Sequence, residues 1–172
     1  MFLNALSSGL AASVTTQTPR ILKDWLGGLA YSMTGLHTLL TADRPQLAIR
    51  SAEWSWRGEL LSIVIGNGRF AGGGFSPTPD AQLDDGWLDV QVIGDVPSDE
   101  APQLVAEWLG LEEPTDDFVE MLRVTSLEIE GDQAFQFNLD GEPQWARTLR
   151  VEIEPQVLPV IVLPGAAVTA RG

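Results

Sequence analysis

The chain has 172 residues, 44% of them hydrophobic and 20% charged, with 24 acidic against 10 basic residues and a formal net charge of −14. Length and composition are those of a single domain, 1–172, with a core of its own. The lack of cysteine excludes disulfide frameworks, thiolate metal sites and cysteine nucleophiles, and a single lysine, Lys23, in so acidic a chain excludes a nucleic-acid footprint.

The opening "MFLNALSSGLAASV" has the apolar residues and small-residue end of a signal peptide. It lacks a basic region, however, and Asn4, Ser7 and Ser8 interrupt it, so it reads as a first strand and turn. Thr18-Pro19 then caps an amphipathic helix over about 19–40, in which Leu22, Trp25, Leu26, Leu29, Met33, Leu36 and Leu40 recur at helical spacing. Gly27-Gly28 inside it marks a close packing contact or a kink. His37, the only histidine, has no partner at ligand spacing and reads as a surface or boundary side chain.

From Gln46 the period shifts from 3.6 towards 2. The segments "QLAIR", "EWSWRGELLSIVI", "WLDVQVI", "LRVTSLEIE", "AFQFNLD", "TLRVEIE" and "VLPVIVL" are short, mostly alternating, and separated by glycine, proline and aspartate. Leu88, Val90 and Val92 fall on one face with Asp89 and Gln91 on the other, as in a sheet with one face buried. A further helix is expected from Ser98, with Leu104, Val105, Trp108 and Leu109 as its buried stripe. The late stretch "VLPVIVLPGAAV" is too short and proline-broken to cross a bilayer, and a cytoplasmic location is expected. The expected fold is mainly β: a β-sandwich of antiparallel strands with one long N-terminal helix and one or two short helices.

The stretch "IGNGRFAGGGF" looks like the strand and G-x-G-x-x-A of a dinucleotide site. The following "SPTPDAQLDDGWLDV" starts no helix, because Pro77 and Pro79 prevent one, so no helix N-terminus is available for a diphosphate. The stretch therefore reads as a glycine-rich connection between strands, and an NAD-dependent oxidoreductase is set aside. G-x-S-x-G, H-E-x-x-H and G-x-x-x-x-G-K-[ST] are also missing, which excludes the corresponding serine hydrolase, zincin and P-loop chemistries.

Two acidic turns can carry chemistry. In "AQLDDGWLD", Asp84, Asp85 and Asp89 surround Gly86, an all-oxygen set of the kind Mg²⁺ and Ca²⁺ prefer. The same spacing equally describes a solvated hairpin turn. In "FNLDGEPQW", Asp140 and Glu142 flank Gly141, with Asn138 nearby; two carboxylates sharing a rim suit a general base, since like charges raise one pKa. Here too the "DG" alone accounts for a turn.

The segments "FLNALSSGLAASVTTQTPRILKDWLGGLAYSMTGL", "GNGRFAGGGFSPTPDAQLDDGWLDVQVI" and "FNLDGEP" resemble, in order and spacing, the C-terminal part of bacterial diacylglycerol kinase-like lipid kinases of the YegS type. The resemblance runs from about Phe2 to Leu163. It implies a β-sandwich that, with a separate nucleotide-binding domain in cis or trans, transfers the γ-phosphate of ATP to a lipid hydroxyl such as that of diacylglycerol, using Mg²⁺. The Gly-Gly-Asp-Gly-Thr nucleotide loop of that other domain does not occur in this sequence. By position, the resemblance puts the proton acceptor at Glu142, with Asp140 as the competing assignment. It places Asn67 and Gly68 at the substrate cleft, and it implies a Mg²⁺ held by the backbone carbonyls of Gln82 and Trp87 and the carboxylate of Asp85. Peripheral contact with the inner membrane surface follows from the lipid substrate. The alternative is a non-catalytic, Mg²⁺-binding lipid-recognition or regulatory module.

Overall fold

The computed structural model describes residues 1–9, 11, 44–70, 76–94, 96–97, 100 and 118–159. The expected helices over 19–40 and from Ser98, with His37, lie outside the described residues. So does most of "VLPVIVL", of which Val157, Leu158 and Pro159 are described and form no strand.

The described residues form seven strands: β1 (Ala5–Gly9), β2 (Gln46–Arg50), β3 (Ser55–Gly66), β4 (Leu88–Gly94), β5 (Val119–Val124), β6 (Ser126–Leu139) and β7 (Glu142–Glu152). Every pairing is antiparallel. β1 and β2 both lie between β3 and β6. β1 faces Ser62–Gly66 of β3 and Phe137–Leu139 of β6, whereas β2 faces Ser55–Glu59 and Glu128–Gly131. They therefore behave as one strand position split in two, with residues 10–45 inserted between its halves. The sheet runs β5-β4-β3-(β1/β2)-β6-β7.

Leu6, Ile49, Ile65, Val90, Val124, Ile129, Phe137 and Val151, which between them sample all seven strands, belong to one core cluster. In a flat sheet, β5 and β7 would lie five strand spacings apart, roughly 24 Å at about 4.8 Å each. Side chains cannot share a core across that span, so the sheet must curl into a barrel-like wrap. The two layers expected of a sandwich arise here from one continuous sheet. Two irregularities assist the bend. The β3–β4 register shifts between Leu60 and Ser62, and β6 advances five residues from Glu130 to Phe135 while β7 advances two, from Thr148 to Ala146.

Three segment boundaries differ from those expected. "LRVTSLEIE" is two strands meeting at Thr125, "SLEIE" and "AFQFNL" are one long strand, and the last paired strand begins at Glu142, six residues before "TLRVEIE". The expectation of one solvated face also fails along β3 and β4. Ser62, Val64, Asp89 and Ile93 point away from the core cluster yet are at most 4% exposed, so the sheet is covered on both faces there.

The topology has one consequence for function. The starts of β1, β4 and β7 and the ends of β3, β5 and β6 are register neighbours: Ala5 with Gly66, Gly66 with Asp89, Leu88 with Val124, Leu6 with Leu139, and Leu139 with Glu142. These strand ends and the connections between them carry every residue singled out as a candidate site.

Candidate functional site

The β6–β7 hairpin has a two-residue loop, Asp140-Gly141, with φ of 49° and 95°. Two successive positive φ values are the type I′ geometry that follows the right-handed strand twist, and Asp-Gly is among its preferred pairs. The "DG" therefore does make the turn. The Asp140 side chain does more: Oδ2 accepts the Leu3 N–H at 2.7 Å, and Oδ1 accepts those of Asn4 and Ala5, both at 2.9 Å. In return the Asp140 N–H donates to the Ala5 carbonyl at 2.9 Å. Burial pushes the Asp140 carboxyl upward, but the three backbone donors more than offset it and hold the group below the ordinary carboxylate range. The mutual elevation expected of a carboxylate pair is thus not seen at Asp140. Glu142 stands exposed at the first position of β7, and no hydrogen bond or ion pair within the described residues engages its carboxylate.

The same backbone segment, Leu3 to Ala5, is gripped from its other side by the β3–β4 connection. The Asn67 and Gly68 N–H groups both donate to the Asn4 carbonyl, at 2.8 and 3.0 Å, and Asn67 Nδ2 donates to the Leu3 carbonyl at 2.8 Å. Asn4 Nδ2 reaches the Phe70 carbonyl at 2.8 Å. The "GNGR" and "LDGE" motifs, far apart in sequence, are in this way clamped to opposite sides of Leu3 to Ala5, the segment that leads into β1.

Gly66 and Gly68 stand where the backbone is closely approached. A Cβ at Gly68 would lie 2.4 Å from Asn4 Oδ1, and one at Gly66 would lie 2.3 Å from Thr78 Oγ1 and 2.7 Å from the Gly68 carbonyl oxygen. Thr78 is buried and donates to that Gly68 carbonyl at 3.0 Å, while Arg69 Nε donates to the Ala81 carbonyl at 3.0 Å. These bonds fold the 76–81 segment back over the loop and deliver the chain into the Asp85 turn. Gly66→Ala must displace Thr78 and a backbone carbonyl together. It should destabilise the chain by about 2 kcal/mol, the usual scale of overpacking, as measured by urea unfolding.

At the Asp85 turn, Gly86 adopts φ 77° and Asp85 Oδ1 accepts the Trp87 N–H at 2.9 Å, an Asx turn. Arg123 of β5 lies in register with Asp89 of β4. Its guanidinium contacts Asp85 Oδ2 directly through Nη2, and its Nε stands 3.5 Å from Asp89 Oδ1. Its Cζ lies 5.6 Å from the Trp87 ring centroid, within cation–π range. Asp89, expected on the solvated face of its strand, has a side chain only 6% exposed, and its Oδ2 has no hydrogen-bond partner among the described residues. Desolvation is the largest influence on the Asp89 carboxyl and raises it; Arg123 opposes this, and Asp85 and Asp80 add to it.

Gln82, Asp85 and Trp87, the expected metal ligands, share this loop, but the single carboxylate among them is committed: one oxygen to the Trp87 N–H and the other to Arg123. Seating a divalent cation on Asp85 with Arg123 in place would set charges of +2 and +1 about 5 Å apart, a repulsion of roughly 6–7 kcal/mol at an effective dielectric of 20. The residues as arranged do not fit a divalent ion. Among the described residues there is likewise no group of three or more His, Cys, Asp or Glu suited to a metal.

Of the candidate residues, Asn67, Gly68, Asp140 and Glu142 are brought to one corner, and Gln82, Asp85 and Trp87 to a neighbouring loop joined to it through Thr78 and Arg69. Sequence reasoning missed Asn4, Thr78 and Arg123. Asn4 had a signal, as the first polar residue to interrupt the apolar opening run. Thr78 sits between two prolines that drew the attention, and Arg123 is an ordinary outward position of an alternating strand.

Residues 4–162 match the family described as the YegS C-terminal NAD kinase beta sandwich-like domain. A Xanthomonas euvesicatoria protein named "Probable lipid kinase YegS-like" is 39% identical over 153 residues, covering 88% of this chain and 50% of that protein. A Pseudomonas aeruginosa protein of the same name is 38% identical over 170 residues, covering 96% and 54%. The chain spans about half the length of the curated relatives it matches. A Bacillus anthracis crystal structure, described as a "putative diacylglycerol kinase", superposes with a TM-score of 0.63 at 24% identity, over 90% of this chain and 51% of that one, a likeness of fold. The chain belongs to the YegS-like lipid kinase family, as its C-terminal β-sandwich-like domain.

Proposed function

We propose that this domain supplies the lipid-binding surface and the catalytic base of an ATP-dependent lipid kinase, with Glu142 as the base and a hydroxyl of diacylglycerol or a related glycerolipid as the acceptor. The observation that carries this reading is the contrast within one hairpin. Asp140 spends both carboxylate oxygens on backbone N–H groups and is held acidic, whereas Glu142, two residues on, is exposed and its carboxylate is unengaged among the described residues. A base needs a free lone pair within reach of the acceptor hydroxyl, so in this reading Asp140 is a positioning residue and Glu142 the base.

In the proposed step the lipid oxygen attacks the γ-phosphorus of ATP in line. The new P–O bond forms as the bond to the ADP oxygen breaks, and the hydroxyl proton passes to a Glu142 carboxylate oxygen. Mg²⁺ carried with ATP would neutralise phosphate charge when bound, and the nucleotide would be held by a second domain. Asn67 and Gly68 keep the backbone close beside the hairpin, so that the acceptor hydroxyl can reach Glu142 without a bulky side chain intervening. Joining this chain to a relative's nucleotide domain and assaying transfer of γ-phosphate to diacylglycerol in vesicles tests the proposal; transfer that does not depend on Glu142 would refute it.

The same corner exposes Leu3 at 53%, Phe70 at 60% and Leu83 at 51%. The three surround Asn4 and Gly68, since Phe70 receives the Asn4 side chain and Leu83 Cδ2 lies 3.5 Å from a Cβ built at Gly68. An apolar rim beside a base suits a substrate with acyl chains lying at a bilayer surface. Phe70→Ser should raise the apparent KM for vesicular lipid about tenfold, the equivalent of an aromatic side chain's burial, with kcat unchanged. An equal fall in kcat would place Phe70 in the chemistry instead.

A further inference from the structure

Arg123 holds the Asp85 carboxylate that a divalent cation would need at this turn, and three features of the fold make that placement a built one. First, strand register sets Arg123 opposite Asp89, so its position follows from the β4–β5 ladder rather than from a surface side chain's wandering. Second, it reaches two carboxylates at once, Asp85 with a side chain 18% exposed and Asp89 with one 6% exposed, which without it would be two poorly solvated like charges. Third, the Trp87 ring lies against the guanidinium and restricts it from one side. A planar, permanently charged group with several donors can bridge two carboxylates that a flexible lysine would satisfy less well.

We infer that Arg123 is the resident cation of this loop: it does the ordering work that a bound Mg²⁺ or Ca²⁺ would do there, and the Asp85 turn holds its shape without a metal. Asp85 accepts from the Trp87 N–H at the entry to β4 and from Arg123 at the end of β5, so the guanidinium ties the loop to the sheet edge. The inference is independent of the kinase proposal, because its test involves neither lipid nor nucleotide.

The test is thermal unfolding of the 172-residue chain in millimolar Mg²⁺, in millimolar Ca²⁺ and in EDTA. A ligand that binds only the native state raises Tm with its concentration. The wild-type chain is expected to melt at the same temperature, within about 1 °C, in all three conditions. Arg123→Gln, which removes the charge and uncovers Asp85, should melt several degrees lower in EDTA and recover part of the loss in Mg²⁺ or Ca²⁺. Adding Asp85→Asn to it should abolish that recovery. Should Arg123→Gln fail to fold, calorimetric titration of Mg²⁺ into the wild-type chain and into Arg123→Lys keeps the question open to refutation, with no saturable heat expected from either. A saturable rise in wild-type Tm with Mg²⁺ that Asp85→Asn removes, or an Arg123→Gln chain as stable in EDTA as wild type, would overturn the inference.

Discussion

Glu142→Gln should lower kcat for lipid phosphorylation by about 10²–10⁴-fold, the range spanned by general bases, in an enzyme made by joining this chain to a relative's nucleotide domain. Glutamine keeps the size and the hydrogen-bonding reach of the side chain but cannot accept the hydroxyl proton. The residue is exposed at the first position of β7. Its replacement therefore leaves the hairpin, the Leu3–Ala5 clamp and the fold unchanged, and Tm should move by no more than about 1 °C, the usual result for surface substitutions. KM for lipid should also stay near its wild-type value, because in the proposed site the acyl chains would meet the exposed Leu3, Phe70 and Leu83 rather than Glu142. A loss confined to kcat is the signature of an interaction made in the transition state. Wild-type turnover in Glu142→Gln would remove the base from this domain and leave it a lipid-recognition module.

How far the sequence foretold this site depended on whether the signal was local. The span "QLAIR" matches β2 end to end because Leu47 and Ile49 alternate with the less buried Gln46, Ala48 and Arg50, and both meet the core. The β6–β7 turn was equally legible, since Asp-Gly between alternating segments admits few other readings. The union of β1 and β2 in one strand position was not, because it depends on pairings with β3 and β6 that no local pattern encodes. The unity of β6 was hidden by Gly131-Asp132-Gln133, a polar interruption that reads as a turn but serves as a bulge. Asp89 misled for a different reason. Period 2 says which residues share a face, and only tertiary structure says whether that face meets water. The same limit explains why the turn-forming role of Asp140 was visible while its second role was not: its carboxylate binds backbone 135–137 residues away in the chain.

That second role sets a large stability effect with a definite dependence on pH. Asp140→Asn is the informative change, because asparagine tolerates the left-handed conformation at φ 49° as well as aspartate does, so the turn survives and the carboxylate alone is tested. Of the two oxygens that accept from Leu3, Asn4 and Ala5, one becomes an NH₂ facing a donor. The loss should be about 2–3 kcal/mol at pH 7, less than the sum expected of three charge-assisted bonds because the site is partly open to solvent. Since the folded-state carboxyl is held below its unfolded value near 3.9, the ionised group stabilises the fold fully above that value and ceases to do so as pH falls through the folded one. The wild-type advantage over Asp140→Asn should therefore be constant from neutral pH down to about 5 and shrink towards zero in stronger acid. Urea unfolding of both chains at a series of pH values measures it, and an equal gap at every pH would show that the carboxylate charge is not what grips β1. The same variant should lose activity beyond its loss of stability when assayed well below its Tm. Freeing Leu3 to Ala5 from the hairpin also loosens the Leu3 and Asn4 carbonyls, which hold Asn67 and Gly68 beside that hairpin. A kcat deficit that persists where the variant is fully folded would distinguish this positioning role from a purely structural one.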